Sequence, residues 1–316
     1  MIVAVTGGTG FIGGNLVKRL ASEGVTVRVL TRQSAAQVDL PDGVEVFQGD
    51  LVGELEILEQ FLSGADVLYH CAAEINDNEK MLVANVDGAK NLVRAAKGKI
   101  RHWVQLSSAD VYGTHVDGVI NEDTQSGPMN VYEVSKAAAD GIVIEAAANG
   151  GFTYSILRPS KVYGPGMRNQ VLFQLFSLVS RGLFFFIGRP GASANYVHVD
   201  DVVEGLLLCG NMLAAKNRVY IISDYRTIEV FVSVIAETLC KRAPHWRIPE
   251  HLARMAARMT AFVPHNPLTG QRVNAMVKRA IYSTEKLEAE LGYRHRVVME
   301  DGVRQLVLAW LENKRN

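Results

Sequence analysis

Apolar and polar positions along the chain change period at regular intervals. Residues 2–5 form a continuous β-branched apolar run, which suits a strand buried on both faces; after a glycine cluster, residues 11–20 carry apolar side chains at helical spacing. The alternation then repeats. Residues 25–30, 44–47, 66–69, 103–106 and 152–157 read as strands, and residues 54–62, 83–96 and 132–148 as helices, the first of them with Leu55, Leu58 and Leu62 on one stripe. Pro-Asp-Gly at 41–43 and Ser-Gly at 63–64 supply stops. Strands alternating with helices imply parallel β-α-β units with right-handed crossovers, hence an α/β fold: a Rossmann-type doubly wound parallel sheet with helices on both faces. Ligands of such a sheet collect at the carboxyl ends of its strands.

Beyond residue 158 the alternation loosens. Helices are expected near 171–180, 202–213 and 228–240, strands near 184–187, 196–198 and 218–222, and a closing amphipathic helix over 301–312. Pro249, Pro264 and Pro267 punctuate further helical stretches. The expected division is a dinucleotide-binding domain over 1–165, its sheet extended by 196–225, and a smaller, mostly helical substrate-binding region over 166–316 interleaved with it.

At 48% hydrophobic and 21% charged over 316 residues, the chain can bury a sizeable core. Its 33 basic and 33 acidic residues cancel, so nothing draws it to nucleic acid, and an anionic ligand must be held by a local site. Cys71, Cys209 and Cys240 are widely spaced in apolar settings and fit neither a disulfide framework nor a metal pattern. No apolar run reaches the roughly eighteen residues of a membrane span, and a strand starting at residue 2 leaves no room for a leader, so a cytoplasmic protein is expected.

The glycines carry the first chemistry. Gly8, Gly10 and Gly13 satisfy G-x-G-x-x-G, and Gly7, Gly10 and Gly13 a looser spacing, between a strand and the start of a helix. Missing Cβ atoms let backbone approach a pyrophosphate, and the free N–H groups of a helix N-terminus favour its charge. Tyr132 and Lys136 stand four apart on one helix face. An ammonium beside a phenol favours the phenolate, as does a positive nicotinamide ring, which makes the pair a candidate acid/base. Ser107 and Ser108 end the 103–106 strand, where a hydroxyl can bond a substrate alcohol or carbonyl oxygen.

With these residues the sequence resembles the extended short-chain dehydrogenase/reductase family, the NAD-dependent epimerases and dehydratases. T-G-G-T-G-F-I-G at 6–13, G-D-L at 49–51, H-C-A-A at 70–73, N-V-D-G at 85–88, S-S-A-D-V-Y-G at 107–113, L-R-P-S-K-V-Y-G-P-G at 157–166 and Y-V-H-V-D-D-V at 196–202 follow in the family's order. The resemblance implies that Tyr132 is the acid/base, that Lys136 lowers its pKa and holds the ribose, and that Ser108 polarises the reacting C–O group. It further implies cofactor contacts from Gly7, Gly10, Phe11, Ile12, Gly13, Arg32, Asp50, Leu51, Ala72, Ala73, Asn85, Pro159 and Val162, and a homodimer. An acidic residue about twenty positions past the glycines would select NAD; Thr31-Arg32 stands there, which favours NADP over NAD because Arg can bind a 2′-phosphate.

The reaction is bounded by departures from the family pattern. Dehydratases of the family carry Asp-Glu after the catalytic Ser or Thr, whereas Ala109-Asp110 stands here; Asp110 is read as a turn or cap residue, and epimerase and ketoreductase remain open. The first substrate expectation is a nucleotide-activated sugar. Ala194-Asn195 replaces the arginine that usually grips its diphosphate, leaving Arg168, Arg189 or Arg272 as substitutes. The alternative is a hydrophobic alcohol of the 3β-hydroxysteroid type, with Phe184, Phe185, Phe186, Met167 and Phe173 as lining or as plain core. A non-catalytic dinucleotide sensor is the third reading. His198 with Asp200 and Asp201 reads as packing and helix capping rather than a metal site, and His70 as structural. Arg254 and Arg258 lie on one face of a short helix with Leu252 and Met255 on another, a solvated face or a contact with a membrane or partner.

Overall fold

The computed structural model describes residues 1–113, 117–167, 170–260 and 269–315. Seven strands form the main sheet: β1 (Ile2–Thr6), β2 (Thr26–Thr31), β3 (Glu45–Gln48), β4 (Val67–His70), β5 (His102–Leu106), β6 (Thr153–Pro159) and β7 (Arg218–Ile222). Every neighbouring pair is parallel, in the order β3-β2-β1-β4-β5-β6-β7. The order therefore reverses between β1 and β4, and the glycine loop that follows β1 lies at this switch point, where such sheets bind ligands. The two faces of β1 explain its unbroken apolar run. Val3 and Val5 pack with Leu16, Val17 and Leu206 in one core, and Ala4 joins Leu58, Phe61 and Leu92 in the other.

The 196–225 extension of the sheet needs correction. β7 does continue the main sheet, but Ser193–His198 forms a separate three-stranded sheet, parallel to Lys161–Tyr163 and antiparallel to Asp224–Thr227. The side chains explain this. Ala194 belongs to a second core with Phe176 and Phe231, and the Tyr196 ring stacks on Phe231 at 4.7 Å, so the helix Ile228–Thr238 claims this strand. Met167, Phe184 and Phe186 are buried in the same core with Phe173 packed against it, while Phe185 is exposed. Pairings of Gly118–Ile120 with Ala280–Tyr282, and of Phe186–Ile187 with Arg247–Ile248, are too short to show a period in sequence. Pro264 and Pro267 lie outside the described residues.

The helix expected over 83–96 begins earlier, at Asn78–Leu82, and passes through a π-helical turn, Val83–Asp87, into Gly88–Ala96. Its polar first turn hides it from periodicity. Asp77 nevertheless caps it, accepting from the N–H groups of Glu79 and Lys80. Among the described residues, no helix is long and apolar enough to cross a membrane, and no group of three or more His, Cys, Asp or Glu could hold a metal ion.

Candidate active site

The turn after β1 has the shape of an anion cradle. Gly7 sits at φ +69°, and a Cβ there would stand 2.6 Å from the Ala72 nitrogen; a Cβ on Gly13 would collide with the Gly7 carbonyl. Backbone thus packs where any side chain would intrude. The helix Phe11–Ser22 starts with Gly10 as its N-cap, with no side-chain cap and no acidic residue in its first turn. Its N-terminal dipole is left for a ligand's negative charge. These residues fit the pyrophosphate of a dinucleotide. Ala72 is fixed opposite them, because its N–H donates to Thr6 Oγ1 at 3.3 Å.

Thr6 also meets His70 Nδ1, at 2.6 Å. The neutral ring with its proton on Nε2 suits both contacts: Thr6 Oγ1 accepts from Ala72 and has its own hydrogen to give to Nδ1. Burial, with the nearby Lys136 charge, pushes the His70 pKa down to about 3. The folded state therefore refuses a proton that the unfolded chain takes near 6.5. Stability is unaffected by this group above that value and falls by about 1.4 kcal/mol per unit as pH drops from 6.5 toward 3. His70→Asn, which keeps an acceptor near the Nδ1 position but cannot titrate, is expected to lose one proton's worth of that slope in urea melts. An unchanged slope would assign it to the other buried histidines.

The second cluster lies at the ends of β5 and β6. Ser107 and Ser108 leave β5 in opposite roles. Ser108 caps a short 3-10 turn, Ala109–Tyr112, accepting from the Asp110 N–H at 3.2 Å, so its hydrogen is free for the Tyr132 phenol to which it is bonded. Asn130 caps the helix Val131–Ala148 through the Glu133 N–H, which sets the rotation that turns Tyr132 and Lys136 toward β5. Lys136 is fully buried and donates from Nζ to the Leu106 carbonyl at 2.6 Å. Burial pulls its ammonium below the usual range, against the pull of Asp140. Tyr132 is pushed up by burial, partly offset by Ser108, with Asp110 and Asp140 pushing further. The Lys136 ammonium is fixed by the Leu106 carbonyl on the β5 side of the helix. The chain alone holds Tyr132 as an acid.

A profile of the NAD dependent epimerase/dehydratase family matches residues 3–223. The chain belongs to this family. It is 30% identical, over 95% of its length and 93% of the relative's, to 4-hydroxy-2-methyl-3-oxo-4-farnesyl-3,4-dihydroquinoline-1-oxide ketoreductase of Stigmatella aurantiaca. It is 28% identical to a "3 beta-hydroxysteroid dehydrogenase/Delta 5-->4-isomerase" of Mycobacterium tuberculosis, over 78% of this chain and 71% of that one. Among solved structures, MoeE5 in complex with UDP-glucose and NAD superposes with a TM-score of 0.77 at 25% identity, covering 100% of both chains. The protein is therefore an NAD(P)-dependent enzyme of the extended short-chain dehydrogenase/reductase type.

Within this family framework the structure adds a buried network that the sequence reading missed. Asp140, one turn beyond Lys136, takes Ser107 Oγ at 2.8 Å and Arg158 through Nε at 3.2 Å and Nη2 at 3.0 Å, all on Oδ2. Arg158 Nη1 donates to the Tyr112 hydroxyl at 2.8 Å. Tyr132, Lys136 and Asp140 recur at four-residue intervals, and that repeat was the available signal. The network ties the end of β5, β6 and the helix Val131–Ala148 together beside Ser108, the residue after Ser107.

Other expected residues divide. Arg32 is exposed at the end of β2, with Thr31 buried before it and no carboxylate in Thr31-Arg32-Gln33-Ser34. Asp50 accepts from the Val52 N–H at 3.2 Å, and the Leu51 carbonyl from Asn91 at 3.1 Å. Asn85 spends its amide on the Glu74 backbone in both directions and on Ser135 Oγ, bracing the loop that carries Ala72 and Ala73. Pro159 is buried at the end of β6, and Val162 pairs with Val197 just beyond. His198 caps the helix Val199–Asn211, accepting from the Asp200 N–H, and Asp201 is taken by the Tyr293 hydroxyl and the Arg296 and Val297 N–H groups. As for the diphosphate candidates, Arg272 donates to Gln174 at 2.7 Å, Arg189 offers its carbonyl to Arg279, and Arg168 lies outside the described residues.

Proposed function

We propose that the enzyme interconverts a hydroxyl and a keto group on a lipophilic alcohol or ketone, with NADP(H) preferred. In the reducing direction Tyr132 gives its phenolic proton to the carbonyl oxygen, and Ser108 donates a second hydrogen bond to the same oxygen. Lys136 holds the helix against Leu106 and reaches toward the ribose side. The bound dinucleotide would supply or accept the hydride. The observation that carries the substrate class is the fate of the arginines. Where sugar-nucleotide members place a diphosphate grip, Ala194 is core and Asn195 donates to the Ala280 carbonyl at 2.8 Å. Arg226 is held by Glu300 and Asp224, Arg247 by Glu229, and Arg279 by the carbonyls of Pro190 and Arg189. The quinoline ketoreductase and the hydroxysteroid dehydrogenase, both at higher identity than MoeE5, support the same class.

A nucleotide sugar is the second reading, favoured by the full-length superposition on MoeE5. Competition for the ternary complex decides between them. A steroid or prenylated ketone is expected to bind to the NADP-loaded enzyme while uridine diphosphate does not, and tight uridine diphosphate binding would reverse the assignment.

The cofactor preference rests on Arg32. Titration is expected to give tighter binding of NADP than NAD, and Arg32→Asp to reverse the preference by removing the 2′-phosphate partner and adding a ribose acceptor. Tighter NAD binding by the unaltered protein would overturn it.

A further inference from the structure

We infer that the surface formed by residues 241–259 docks the enzyme on an anionic lipid surface. The inference stands on this surface alone and does not depend on the substrate's identity. The helix Glu250–Met259 is apolar on two sides. Ala253 and Ala257 are buried against Ile187 and Val273, which accounts for its inner face. Leu252, Met255 and Met259, at helical spacing, are 43%, 54% and 66% exposed, and Trp246, just before the helix, is 71% exposed. This outer stripe is not covered by the described chain.

Charge selects the occupant. Lys241, Arg242, Arg247, Arg254 and Arg258 are answered within the segment by Glu250 alone, in a chain whose total charge is zero. Glu229 engages Arg247 and Glu250 engages Arg254; Lys241, Arg242 and Arg258 are exposed and form no ion pair among the described residues. A second copy placed symmetrically on this face would set these cations against themselves. Anionic headgroups complement them, and unbranched Met and Leu side chains enter acyl chains without needing a shaped partner. Trp belongs at the headgroup level, and the arginine stems can follow the apolar stripe while their heads stay in water.

Vesicle co-sedimentation tests the inference with full-length protein. Binding is expected to phosphatidylglycerol-containing vesicles, to weaken at least tenfold in neutral phosphatidylcholine vesicles, and to weaken with added salt. Of the three tryptophans, Trp103 is fully buried and Trp310 is half-buried against Phe176, so the exposed Trp246 reports binding: its emission is expected to shift to the blue, and the shift to vanish in Trp246→Phe. Leu252→Ser with Met255→Ser, and separately Arg242→Glu with Arg258→Glu, are each expected to reduce binding at least tenfold with thermal melting and dinucleotide binding unchanged. No vesicle binding, binding indifferent to lipid charge and to these variants, or self-association abolished by the serine pair would each overturn the inference.

Discussion

Tyr132→Phe is expected to lower kcat by about 10²–10⁴-fold while the protein still binds its dinucleotide. In the proposed reaction the phenol is the proton donor. Ser108 bonds to it, and burial with two nearby carboxylates keeps it protonated. Phe preserves the ring and its packing, so the loss should fall on turnover and leave the glycine cradle untouched. The cradle is built from Gly7 and Gly13 after β1 and Ala72 after β4, on other strand ends than Ser108. Parallel measurements of kcat and dinucleotide affinity check this. Turnover that survives the substitution would move the acid elsewhere.

Asp140→Ala should produce the largest change in stability, about 3–5 kcal/mol of destabilisation, read from urea unfolding. Asp140 Oδ2 is the shared acceptor for Ser107 and for two nitrogens of Arg158, in a side-chain environment that is almost closed to water. Truncation leaves a buried guanidinium with the Tyr112 hydroxyl as its remaining described side-chain partner. The cost is that of an uncompensated charge rather than the net worth of the pair. Consequently Asp140→Ala combined with Arg158→Leu is expected to lose less than the two single variants added together. Strict additivity would mean that the two groups do not act as a pair.

How far the sequence revealed this arrangement depended on the physical signal each part leaves. The main sheet was legible because its strands are buried on both faces and alternate with amphipathic helices, so period and punctuation agreed. The glycine loop was legible because Gly7 and Gly13 are places where backbone meets backbone. The helix that carries Tyr132 and Lys136, Val131–Ala148, was legible from their spacing. Asp140 was not, since a mid-helix carboxylate ordinarily faces solvent and only the β6 arginine reveals that it is buried. Ser193–His198 was placed in the wrong sheet because its partner, Phe231, lies far along the chain, and distant packing overrides local pattern. The Asn78–Leu82 helix opens on three polar residues, Asn78, Glu79 and Lys80, leaving Asp77 as its clearest sign. The bond from Lys136 to the Leu106 carbonyl was not legible either, because spacing along one helix does not encode a contact with a neighbouring strand.

The central claim is that hydride transfer to a lipophilic keto carbon is coupled to a proton from Tyr132. The direct test uses NADPH deuterated at the transferable position, with a steroid or prenylated ketone, comparing the unaltered enzyme with Tyr132→Phe. The expected result is deuterium on the new carbinol carbon, one NADPH consumed per alcohol formed, and loss of the signal in the variant. Product free of deuterium, or turnover of a sugar nucleotide with no net consumption of cofactor, would contradict the account.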